Sequence, residues 1–202
     1  MKKYELTTEC KEIGNIKLFR VKALTSFGNV KAGEIGGYIE KEDNLSQSGN
    51  AWVDGNARVN GNARVRDNAL VDGNARVDGT ALVDGNARVD GNVWVIGNAR
   101  VGDNAIVDGN AWVRGDAWVK GNAWVRGDED YTIIKGFGRK YRNTTFFRQK
   151  DGSIGVVCGC FYGTLDEFRK KVRETHGESK YAKEYLMIAD LMEMHFDRSE
   201  GE

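Results

Sequence analysis

Proline is absent from this 202-residue chain, while glycine occurs 26 times. Much glycine without proline points to many tight turns of one kind and argues against a disordered linker. Cysteine is scarce too. Cys10, Cys158 and Cys160 are too few and too unevenly placed for a disulfide framework, so a reducing cytoplasm is the expected compartment. No window approaches the ~18 apolar residues that a membrane span needs, so no membrane partner is expected. The opening "MKKYELTTECKEIG" has no apolar run after its lysines and does not read as a secretory signal. Neither sign of charge is in excess: 30 basic residues balance 30 acidic ones, which argues against general nucleic-acid binding by net charge. Histidine is confined to His176 and His195.

What the chain does have is a repeat. From Gly49 to Arg126, 78 residues divide into thirteen hexapeptides of the form G-N-A-x-V-x. The fifth slot is Val throughout, and the third is Ala except at Val93; the first is Gly except at Asp67 and Asp103. Val suits a half-buried strand. Ala two residues earlier points the same way because strand side chains alternate, and Gly-Asn supplies the turn. A six-residue side with a corner closes as a triangular coil, with neighbouring coils hydrogen-bonded at ~4.8 Å. A Val-and-Ala interior packed at native density leaves no room for a ligand. Function is therefore expected on the outer faces, the ends or the flanks.

This pattern resembles the hexapeptide-repeat (transferase-like) family, and the resemblance implies a left-handed parallel β-helix with three hexads per coil. Degenerate hexads in the same frame are expected in "GGYIEKEDNLSQS", giving about five to six coils over roughly 25 Å. The resulting layout is an N-terminal β cap over residues 1–36, the β-helix over 37–130 and an α+β domain over 131–202. The entry "NVKAGEIGGYIEKEDNLSQSGN" and the segment from Tyr131 to Phe196 resemble phage and prophage members of that family. The resemblance further implies a homo-oligomer, commonly a trimer with ligand sites between prisms. Acyltransferases of the family use a His base near a coil, and its carbonic anhydrases bind zinc through His. Both histidines here lie outside the repeats, so neither chemistry is expected.

Stacking residues eighteen apart assigns the outward slots to three faces: Trp52, Leu70, Arg88, Ile106 and Trp124; Arg58, Arg76, Trp94 and Trp112; Arg64, Leu82, Arg100 and Trp118. The slot after Val is mostly Asp early on and becomes Arg114, Lys120 and Arg126 in the last coil. The last coil thus carries a collar of Trp and cation on every face. Tryptophan stacks on planar rings, and neighbouring cations hold phosphate. The candidate ligand- or partner-binding residues are Trp94, Trp112, Arg114, Trp118, Lys120, Trp124 and Arg126. Equally, several exposed indoles would be unusual in a monomer, so the collar is expected to be covered by a neighbouring subunit or by the C-terminal segment.

In the flanks, "KYELT" and "IKLFRVKALTSF" read as a hairpin about "IGN" that caps the open end of the prism. "YTIIKGF", "TTFFRQ" and "IGVVCGCFYG" read as strands. A capping box begins one helix at Thr164, Gly177 ends it, and Ser179 starts a second. Tyr181, Tyr185, Ile188, Leu191, Met192 and Phe196 form the apolar stripe of that second helix. Cys158 and Cys160, two apart on one strand, share a side and read as buried reduced cysteines. With His176 alone they make a weak metal set, so no metal and no cofactor are expected. Taken together with the phage resemblance, the expectation is a non-catalytic, homo-oligomeric binding protein that sequesters a host factor or a nucleotide-type defence signal near the last coil and the C-terminal domain. The alternatives are a structural scaffold and an acyltransferase.

Overall fold

The computed structural model describes residues 2–197; residues 198–202 of the expected C-terminal domain, and Met1 of the cap, lie outside them. The chain is mainly β: a β-helix of five stacked parallel coils, with a small α+β part at its C-terminal end. Strands β1 (Tyr4–Ile13) and β2 (Ile16–Ala23) form the expected hairpin. Strand β3 (Ile35–Ile39) joins it to the first coil. Thirteen two-residue strands follow, one per hexad, from β4 (Trp52–Val53) to β16 (Trp124–Val125). They stack on the three faces read from the sequence. All thirteen valines are fully buried.

The first coil departs from the expected frame. Ile39 lies over Val59 and Leu45 over Val65, so these residues fill the Val slot. The next Val-slot residue is Val53, eight positions after Leu45 instead of six. The two extra residues bring Gln47 against the N-terminal strand, where its Oε1 accepts from the Lys3 N–H at 2.9 Å.

Apart from bonds within the two-residue strand pairs, the inter-coil N–H groups donate toward the C-terminal end, while the parallel strand pairs exchange bonds both ways. The N–H groups of Trp52, Asp54 and Asn56 go to the carbonyls of Ala69, Val71 and Gly73 in the next coil, and the pattern continues to the last. The two end coils therefore leave backbone groups with no further coil to pair with, and these are costly to bury unmatched. The flanks answer each need. Lys3 Nζ donates to Ala51 O at 2.8 Å, and the Tyr4 hydroxyl donates to Leu45 O at 2.7 Å. At the other end, Asp128 accepts from Trp112 N–H, Thr145 Oγ1 from Trp118 N–H, and Asp130 from Arg126 N–H.

The corners are also tied. Asn50, Asn68, Asn86 and Asn104 form a ladder in which each Nδ2 donates to the Oδ1 eighteen residues on. A second ladder runs through Asn74, Asn92 and Asn110. Such stacked amides are a recurrent device of in-register parallel strands. The acidic sixth slot is local: Asp54, Asp72, Asp78 and Asp90 each accept from the N–H of the glycine that follows.

Trp52, expected on an outer face, is buried beneath the cap. Phe27 packs edge-on against its ring, and Gly36 leaves room for the indole because a Cβ there would meet it. Beyond the β-helix, β17 (Tyr131–Phe137), β18 (Arg142–Arg148), β19 (Ile154–Cys158) and β20 (Phe161–Thr164) form an antiparallel sheet. Its β-helix side adds Phe147 and Val157 to the coil core. Its other side adds Phe146 and Val156 to the core beneath α1 (Leu165–His176) and α2 (Lys180–Phe196). Thr164 caps α1 with Glu167 in a reciprocal box, and Ser179 caps α2.

The structure departs from the sequence pattern at two further places. "IGVVCGCFYG" is two strands, because Gly159 takes φ +62° and turns the chain. Cys160 sits exposed in that turn and Cys158 is half-buried on β19, so they are not both buried. Leu191 is exposed rather than part of the buried stripe on α2; Ala182 and Ala189 take up that packing.

Candidate functional site

The seven collar residues lie in three columns on three faces and do not converge. Trp94 and Trp112 stack with centroids 4.6 Å apart and planes 2° from parallel. The Arg76 guanidinium lies 5.1 Å from the Trp94 centroid, next along the same column, so both faces of that indole are occupied. Trp118 has Arg100 at 5.7 Å and Lys120 at 5.0 Å. Lys120 also lies 5.0 Å from the Tyr162 ring and 3.4 Å from Asp103. Trp124 has Arg126 over its ring at 4.9 Å and donates from Nε1 to Asp108 at 3.1 Å. Arg114 is exposed, and its backbone N–H donates to the Tyr131 hydroxyl. Most collar cations therefore already sit on collar rings. Trp112 and Trp124 keep exposed surface; Trp94 and Trp118 are half-buried.

Concavity is found instead in the C-terminal part. A cleft of about 430 Å³ opens between the β17–β18 turn, the β19–β20 turn and α1. Arg139, Lys140 and Arg142 come from the first turn, and Lys171 and His176 from α1. Phe161, Phe168, Val172 and Tyr185 form its apolar floor. No carboxylate lines it. The fold places these cations where they are: α1 faces the sheet through Leu165, Phe168 and Val172, which leaves Lys171 at the rim. His176 stacks on Tyr185 with centroids 5.9 Å apart.

Cys158 borders the same cleft, with the Thr144 hydroxyl donating to its Sγ at 3.2 Å. Burial, and next the adjacent Cys158 thiol, push the Tyr185 phenol up to about 12, so it stays a neutral donor; it donates to Phe137 O at 3.2 Å. Among the described residues no cluster of His, Cys, Asp and Glu could hold a metal ion.

Arg142 also lines a second, shallower cleft of about 340 Å³ on the β-helix side of the sheet, with Trp118, Asp116, Asn143 and Thr145. Its guanidinium passes over Gly159, where any Cβ would collide with it. Hydrogen bonds from Asn98 and then Asn143 hold the Asp116 carboxyl below the usual carboxylate range. Arg142 thus stands between the collar residue Trp118 and the basic cleft.

Sequence reasoning passed over Arg139, Lys140, Arg142 and Lys171. A signal was present. From Tyr131 to Lys150 there is no acidic residue, against six cations: Lys135, Arg139, Lys140, Arg142, Arg148 and Lys150. In a chain of zero net charge, that local run marks an electropositive surface. No family model matches the chain, and no curated protein does either.

Proposed function

We propose that the chain is a ligand-binding protein whose β-helix serves as a rigid support and whose site is the basic cleft at its C-terminal end. The observation that carries this reading is the cleft's composition: four permanent cations and a histidine above an aromatic floor, with no carboxylate. Such a lining suits a small organic anion with a planar body, of nucleotide type, its phosphate held by charge-assisted hydrogen bonds. Retention without turnover agrees with the β-helix carboxylates, several of which are engaged by turn N–H groups. Titration calorimetry with a panel of linear and cyclic nucleotides tests this. Binding of at least one is expected, weakened about 10- to 100-fold in Lys171→Ala. Bound ligand should also slow alkylation of Cys158. Absence of both effects across the panel would overturn the reading.

A second reading, self-association as a trimeric scaffold, draws on exposed apolar surface. Trp112 and Trp124 are 39% and 37% exposed, and Met187, Leu191 and Met194 line the outer side of α2. Native mass spectrometry decides it: a monomer at micromolar concentration would remove it.

A further inference from the structure

The tip of the β17–β18 hairpin carries two rings that the cleft does not use, beside cations of which Arg139 and Lys140 also line it. Phe137 and Tyr141 are 40% and 73% exposed, and neither lines the cleft. Lys135, Arg139 and Lys140 are exposed between and beside them. Among the described residues, the only carboxylate paired with this set is Asp116, 3.6 Å from Lys135.

Tyr141 is also held in an unfavourable backbone conformation. Its φ is +49°, and besides Asp67 and Asp103 it is the only non-glycine residue with positive φ among those described. The two aspartates occupy glycine slots of the repeat, and Asp is tolerated in that region; a bulky aromatic is not. Glycine or asparagine would relax this turn. A strained, exposed aromatic in a turn that does not need it points to selection for what the ring does.

The tip is not loose. Glu184 accepts from Gly138 N–H at 3.2 Å, the Tyr185 hydroxyl holds Phe137 O, and Tyr141 N–H closes the turn on Gly138 O. The rings and cations are therefore presented on a braced support.

We propose that this hairpin tip binds single-stranded nucleic acid, Tyr141 and Phe137 stacking on bases while Lys135, Arg139 and Lys140 contact phosphates. Exposed rings interleaved with cations are the elements of sequence-tolerant strand binding. A membrane surface fits less well, because the apex residues Arg139 and Lys140 are charged where an inserting tip would be apolar. The net charge of zero does not oppose it, since the attraction is local.

The experiment is fluorescence anisotropy of the full chain with labelled oligo(dT) and oligo(rU) of about 12 nucleotides. The expected result is binding whose log affinity falls with log salt at a slope of about −2, as three phosphate contacts imply for a single strand. Tyr141→Asn relaxes the turn, so it should fold at least as stably. It should nevertheless bind about 5- to 150-fold more weakly. Lys171→Ala, which touches only the cleft, should leave strand binding intact, so failure here and failure of the cleft reading remain distinguishable. The proposal is overturned by wild-type affinity in Tyr141→Asn or by equal affinity for a duplex. Association with anionic vesicles but not with either oligonucleotide would overturn it as well.

Discussion

Gly115 and Gly121 occupy the same slot of successive hexads and share nearly the same φ, +68° and +67°, yet their surroundings differ. A Cβ on Gly115 would meet open space, whereas one on Gly121 would overlap the Tyr162 hydroxyl. The pair separates two reasons for glycine. Gly115→Ala should cost about 1 kcal/mol, the strain of an L-residue at positive φ. Gly121→Ala should cost about 1 kcal/mol more, because the Tyr162 ring must shift off the last coil. Urea unfolding of both variants measures the difference. At the opposite end, burial holds the Lys3 ammonium at about 8, below the usual lysine range. Its folded pKa is the lower one, so the unfolded chain binds more protons above that pH and stability rises with pH. A gain of up to about 2 kcal/mol is expected between pH about 8 and about 9.5. Lys3→Met should abolish that gain, as read by denaturant midpoints across the window.

Among the elements, the junction between β-helix and C-terminal sheet is organised by one buried carboxylate. Asp130 is fully buried; it accepts from Arg126 N–H at 3.0 Å and from Arg148 Nε at 3.1 Å. Arg148 in turn donates to Phe196 O at the end of α2, so four segments meet there. Breaking a buried pair typically costs about 3–5 kcal/mol. Arg148→Met should therefore destabilise by roughly that amount, and hydrogen exchange should show β17–β20 loosening before the coils do. This is the scale at which legibility from sequence divides. The hexads were readable because one period fixes each slot's direction, so all three faces followed from counting by eighteen. The two-residue shift before Val53 was not readable: Gln47 earns its place through a contact with Lys3, 44 positions away in the chain. Cys160 escaped because one glycine at positive φ turns an apparently continuous strand into two. The cleft escaped because its cations come from a turn and a helix that only the fold brings together.

For the whole molecule, the stacking of near-identical hexads leaves the middle interchangeable, while each end is closed by its own flank. Each hexad stacks on another eighteen residues away, so removing six residues or eighteen keeps every Val inward and every strand paired. Removing an odd number turns the following valines outward, since strand side chains alternate with a period of two. Deleting 73–78 or 73–90 should therefore give a cooperatively folding chain, and deleting 73–77 should not; circular dichroism melts would show which. The same variants examine the support role of the β-helix. The cleft lies wholly beyond the last coil, so a shortened chain should bind the calorimetric ligand with unchanged affinity. A loss of affinity on removing a whole coil would mean that the β-helix itself takes part in binding, and would move the site from the C-terminal part back to the faces of the prism.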